Sequence, residues 1–140
     1  MIVRLLKLTI LSLVTVLSFG CGEPEVNSDR PAPTGVAPTD ASGAALTIDP
    51  AKLGIKALQE HSNPVVSMNA KRLEGHLTSF NYSESAISLS TISSIRLSPQ
   101  HTKIVMNIMN EFQRVAGIAA QNGDANAQFA LDYLKDLRNP

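Results

Sequence analysis

The chain holds one thiol, Cys21, directly after Gly20. A sole cysteine supplies neither an intrachain disulfide nor a cysteine-rich metal site, since each needs further thiols. Covalent modification is the chemistry left to such a sulfur. His61, His76 and His101 lie 15 and 25 residues apart. None has the i, i+4 placement that sets two imidazoles around one metal, so no metal ligands are expected. His101 falls in the first turn of an expected helix as a solvated side chain, and His61 falls near a helix C-terminus, where a protonated ring is mildly favoured. Glu60, Glu74, Glu84 and Glu111 are scattered, so an acid-base carboxylate pair would have to be assembled by folding. No Gly-x-Ser-x-Gly elbow, phosphate loop or dinucleotide fingerprint occurs. The sequence thus names no catalytic residue and no cofactor beyond what Cys21 could carry.

What precedes that thiol explains it. Arg4 and Lys7 form a positive start, and Leu8 to Phe19 form an apolar run interrupted by Thr9, Ser12, Thr15 and Ser18. A spanning helix needs about 20 apolar residues, and this stretch is shorter, so residues 1–20 read as a cleaved export signal. The run Leu17-Ser18-Phe19-Gly20-Cys21 resembles the processing site of a bacterial lipoprotein precursor. That resemblance implies cleavage between Gly20 and Cys21, a diacylglycerol on the Cys21 sulfur and acylation of the freed amine. The family prefers leucine three positions before the cysteine; here that position is Ser18, and the leucine is Leu17. By the same resemblance, Gly22 in place of aspartate points to the outer membrane. Each buried methylene contributes about 0.8 kcal/mol, and two or more chains hold where one would let go.

The whole chain is 140 residues with 12 basic and 12 acidic side chains. A neutral chain has no field to gather phosphate backbones, so no nucleic-acid partner is expected. Loss of Arg4 and Lys7 with the signal leaves 10 basic residues against 12 acidic, a net charge of minus 2. From Gly22 to Thr47 the chain is rich in small and polar residues, with Pro24, Pro31, Pro33 and Pro38. Such composition cannot bury enough surface to offset ordering entropy, so 21–47 reads as the lipidated cysteine and a disordered tether. Its flexible reach is roughly 30 Å.

Residues 48–140 remain for one small domain. Asp49 and Pro50 are a cap and first-turn pair, opening a helix through Leu53, Ala57 and Leu58 toward His61 and weakened by Gly54. Asn63-Pro64 breaks the chain, and Met68 to Phe80 carries Leu73, Leu77 and Phe80 at helical spacing. Between 79 and 98, Ile87, Leu89, Thr91, Ile95 and Leu97 alternate with Ser88, Ser90, Ser94 and Arg96. Period two favours a half-buried strand or hairpin there, with a helix as the alternative.

Ser98-Pro99 opens a long amphipathic helix whose stripe runs Ile104, Val105, Ile108, Met109, Phe112, Val115, Ala116 and Ala119. Asn122-Gly123 ends it, Asp124 caps the next, and Ala127, Ala130, Leu131, Leu134 and Leu137 line a second stripe. The expected fold is mainly α, a small helical domain with a C-terminal antiparallel helix hairpin and a short β ribbon, all-α being the alternative.

The run Ala119-Ala120-Gln121-Asn122-Gly123-Asp124-Ala125-Asn126-Ala127-Gln128 resembles one junction of the Sel-class tetratricopeptide-like helical repeats. Those arrays bind partner proteins on a concave surface, yet no second copy occurs here and an array needs about three. The run therefore reads as a helix hairpin with convergent turn chemistry. Met106 and Met109 beside Ile108 and Phe112 suit core packing better than an adaptable groove. A stripe left half covered would still be a partner surface. The functional expectation is a membrane-anchored envelope lipoprotein that binds another protein as adaptor or assembly factor, with no partner-binding residue assigned. An envelope hydrolase or inhibitor, or a mobile-element entry-exclusion lipoprotein, are the alternatives.

Overall fold

A computed structural model describes residues 30–138. The expected export signal, Gly20, Cys21 and the first part of the expected tether lie outside the described residues. Five helices follow in order: α1 (Ile55–Gln59), α2 (Pro64–Thr78), α3 (Tyr82–Ser93), α4 (Pro99–Gln121) and α5 (Ala125–Asp136). The fold is mainly α, and no sheet occurs among the described residues. No described helix is long and apolar enough to cross a membrane.

Most helix starts follow from side chains that satisfy the free N–H groups of a first turn. Asn63 Oδ1 accepts from the Val65 amide at 2.9 Å with Pro64 at the first position. Ser98 accepts from the His101 amide ahead of Pro99, and Asp124 Oδ1 accepts from Asn126 and Ala127 at 2.8 and 3.0 Å. The α4–α5 hairpin expected from the stripes is present. Gly123, at φ 90, reverses the chain, while the Asp124 amide reaches back to the Ala119 carbonyl at 3.0 Å.

Four expectations are corrected. The strand or ribbon placed in 79–98 is instead α3, and Ser94 to Leu97 connect it to α4. Tyr82, Ala86, Leu89 and Ile92 form its buried helical stripe, and Ser83, Ser85 and Ser88 are buried beside it. Serine is here a small packing residue, letting α2 and α5 approach, and not a solvated face. A lone strand would also leave its backbone groups unpaired, whereas a helix satisfies its own. Ser85 Oγ donates to the Asn81 carbonyl at 2.9 Å, so that buried hydroxyl is satisfied locally.

The first helix is shorter than expected. Asp49 does accept from the Lys52 amide at 3.3 Å, but Gly54 at φ 80 separates that turn from α1. Asn63-Pro64, read as a break, is the start of α2, which ends at Thr78 and not at Phe80.

Residues 30–47, read from composition as disordered tether, lie against the helices as a strap. Asn126 Nδ2 donates to the Pro31 carbonyl at 2.6 Å and Asn122 Nδ2 to the Thr39 carbonyl at 3.1 Å. Thr34 Oγ1 donates to Asp124 Oδ2 at 2.7 Å, and Arg30 pairs with Glu84. Asp40 organises the strap's turn by accepting from the Ser42 and Ala44 amides, and Thr39 bridges Ala45 antiparallel. These bonds use backbone carbonyls and polar side chains, which is why low side-chain hydrophobicity does not leave the segment loose.

The core joins Ile55 and Leu58 of α1, Val66, Leu73 and Leu77 of α2, and the α3 stripe to Ile108, Phe112 and Val115 of α4 and Leu134 of α5. Tyr82 packs against Phe112 with ring centroids 6.2 Å apart. Helix α3 is central, touching α2, α4 and α5.

Candidate functional site

Helix α4 has 23 residues and α5 has 12, lengths of about 35 and 18 Å at 1.5 Å per residue. Starting from the turn at Gly123, α5 returns along only half of α4. The stripe of α4 beyond its end is therefore partly uncovered. Helix α3, also 12 residues, closes the other side.

The result is an open basin of about 650 Å³ between the C-terminal ends of α3 and α5 and the first half of α4. Val105, Met106, Met109, Leu134 and Leu137 supply its apolar surface. Met106 is 59% exposed and Leu137 is 53% exposed, so the basin displays large apolar side chains to water. Val105 and Leu134 belong to the core, which makes the floor rigid.

Polar groups ring this floor. Ser90 Oγ and Tyr133 Oη share a hydrogen bond at 3.2 Å, Thr91 Oγ1 donates to the Ile87 carbonyl at 2.9 Å, and Ser94 Oγ donates to the Thr91 carbonyl at 2.8 Å. The side chains of Ser93, Asn110 and Arg138 make no hydrogen bond to another described residue. Among the described residues no carboxylate lines the basin, and Arg138 is the one charged lining residue.

The histidines do not assemble as a metal centre. His61 and His101, 40 residues apart in sequence, meet edge to face with centroids 4.8 Å apart, while no ring contact joins His76 to them. The Asn63 amide donates to His61 Nδ1 at 3.0 Å, which puts the proton of the neutral ring on Nε2 and blocks both nitrogens as ligands. His101 Nδ1 pairs with Ser98 Oγ at 3.0 Å. The pair fastens the α1–α2 connection to the start of α4. Among the described residues no group of three or more His, Cys, Asp or Glu could hold a metal ion.

The glutamates are likewise dispersed. Glu60 pairs with Lys56 at 3.9 Å, Glu74 accepts from Gln59 at 2.8 Å, Glu84 pairs with Arg30, and Glu111 takes two bonds from Arg114 at 2.9 and 2.7 Å. The Arg114 contact holds the Glu111 carboxyl below its ordinary value. Each of these four glutamates has its own partner, and none pairs with another.

A second polar centre was missed in the sequence. Asn126, 1% exposed, accepts from the Ser83 amide at 3.1 Å and donates to Ser83 Oγ at 3.0 Å as well as to the strap. It ties α5, α3 and the strap at one point. Nearby Tyr82 is 2% exposed and its hydroxyl has no hydrogen-bond partner among the described residues. Burial, with a smaller contribution from the Asp124 charge, pushes its ionisation up to about 12. An asparagine two places into a helix looks like any surface residue, so no sequence signal marked it. Neither a protein-family model, nor a curated protein, nor a solved structure matches the chain.

Proposed function

We propose that this chain is an envelope lipoprotein, anchored through lipid on Cys21, whose helical domain works by binding a protein partner at the α3–α4–α5 basin. The observation that carries the binding reading is the half-exposed Met106 and Leu137 over a core-backed floor. Methionine adapts its shape at low cost, which suits a surface that receives apolar side chains. The anchoring reading rests on Gly20-Cys21 and the apolar run before it.

The two halves are tested separately. Labelled palmitate should follow the full chain in bacteria and disappear in Cys21→Ser, with precursor accumulating when the lipoprotein signal peptidase is inhibited. For the basin, a crosslinker placed at exposed Asn107 should trap one envelope protein, and Met106→Lys with Leu137→Lys should abolish that product. Turnover of a cell-wall or lipid substrate by the pure protein, with no crosslinked partner, would reverse the reading.

A further inference from the structure

We infer that the basin binds a long-chain carboxylate, with the acyl chain on the apolar floor and the head held by Arg138, Asn110 and Ser93. This goes beyond the protein-binding reading by giving the same basin a small-molecule ligand that would compete with the protein partner, and it does not depend on the anchor.

Three observations converge. The basin's volume, about 650 Å³, lies within the roughly 300–1,000 Å³ of small-molecule sites, and like them it is mainly apolar with a few polar groups. The floor consists of flexible or branched aliphatic side chains with no aromatic ring among the lining residues, a surface suited to methylenes. The exposed polar side chains around it that bond to no other described residue can all donate. Arg138 presents a planar fork for carboxylate oxygens, Asn110 an amide NH₂ and Ser93 a hydroxyl. The other lining hydroxyls, on Ser90, Thr91 and Ser94, are already engaged. With no carboxylate among the described lining residues, none of them opposes a negative head, and an ammonium head would meet Arg138 with no described carboxylate to pair it. A bound acid covers the floor on which a protein's apolar side chains would rest, so the two occupants exclude each other.

The test compares two soluble amphiphiles of equal chain length and opposite head, dodecanoate and dodecyltrimethylammonium, each titrated calorimetrically into the pure protein below its micelle concentration. Dodecanoate should bind one to one, with the cation at least roughly tenfold weaker. Arg138→Glu and Met106→Glu, both at exposed positions, should each weaken dodecanoate by about tenfold or more, the worth of one charge-assisted contact. Circular dichroism melts confirm that each variant is folded. Equal binding of the two amphiphiles, no saturable binding of dodecanoate, or an affinity unchanged in both variants would each overturn the inference. Because no partner is present, failure here leaves the crosslinking test of the protein-binding reading intact.

Discussion

Replacing Tyr82 by phenylalanine separates the packing of its ring from the burden of its hydroxyl. The ring lies between Phe80 and Phe112, at centroid distances of 6.4 and 6.2 Å, and phenylalanine keeps both contacts. The hydroxyl is buried without a hydrogen-bond partner among the described residues. An unsatisfied buried group costs about 1–3 kcal/mol, so Tyr82→Phe should be neutral or stabilising by about 1 kcal/mol at neutral pH. At alkaline pH the effect should grow. The unfolded chain ionises this tyrosine at its ordinary 10.0, whereas the folded chain keeps the proton to about 12. Between those values the unfolded state binds fewer protons, so the contribution to stability falls as pH rises, by about 1.4 kcal/mol per pH unit and about 2–3 kcal/mol across the window. Urea unfolding at pH 7.5, 10 and 11.5 reads this directly. The wild type should lose stability more steeply than Tyr82→Phe, the difference cancelling the other groups that titrate there. A variant that is destabilised by more than about 1 kcal/mol at pH 7.5, or one with the wild-type alkaline slope, would refute the assignment of Tyr82 as a buried, unpaired phenol.

Asn126→Ala should cost about 2–4 kcal/mol, because it strands the Ser83 amide and the Pro31 carbonyl together; limited proteolysis should then cut within 30–47 sooner than in wild type. Gly123→Ala should cost roughly 1–2 kcal/mol through backbone strain alone, since φ is 90 and an added Cβ meets nothing within 4 Å; a thermal melt measures it. His76 is held below its ordinary 6.5 by burial and by the Arg72 charge. Its folded state resists protonation, so its contribution is whole above pH 6.5 and is lost as pH falls below that value. Stability from pH 7.5 to 5 should decline less in His76→Gln than in wild type, and identical slopes would contradict the shift.

The legible parts of this protein are those where a side chain acts on its own backbone or on the solvent. Ser98-Pro99, Asp124 and Gly123 declared the α4–α5 hairpin because caps and left-handed turns are local events. Helix α2 ends in the same kind of reversal, with the Asn81 amide on the His76 carbonyl at 2.9 Å, yet the left-handed residue there is Phe80, at φ 54. A bulky residue accepts that strain only because the surrounding packing holds it, and no local rule marks the position. For α3 a local signal did exist. Asn81 and Glu84 have the spacing of a capping pair, and Asn81 Oδ1 accepts from the Glu84 amide at 3.4 Å. Alternation of Ser with Ile and Leu points instead to a strand, because pattern cannot distinguish a serine facing water from one buried between helices.

The stripe of α4 was written in its residues, and so was the methionine pair on its flank. Which part of that stripe stays uncovered depended on where α5 stops and where α3 crosses, and only the packed structure decides this. Likewise two of the strap's anchors are main-chain carbonyls, which every residue carries alike, and the others are polar side chains whose partners lie far along the chain, so composition could not reveal them. Local chemistry determined α4, α5 and the turn between them; the end of α2, the basin, its ring of free donors and the buried Asn126 arise from the meeting of distant segments.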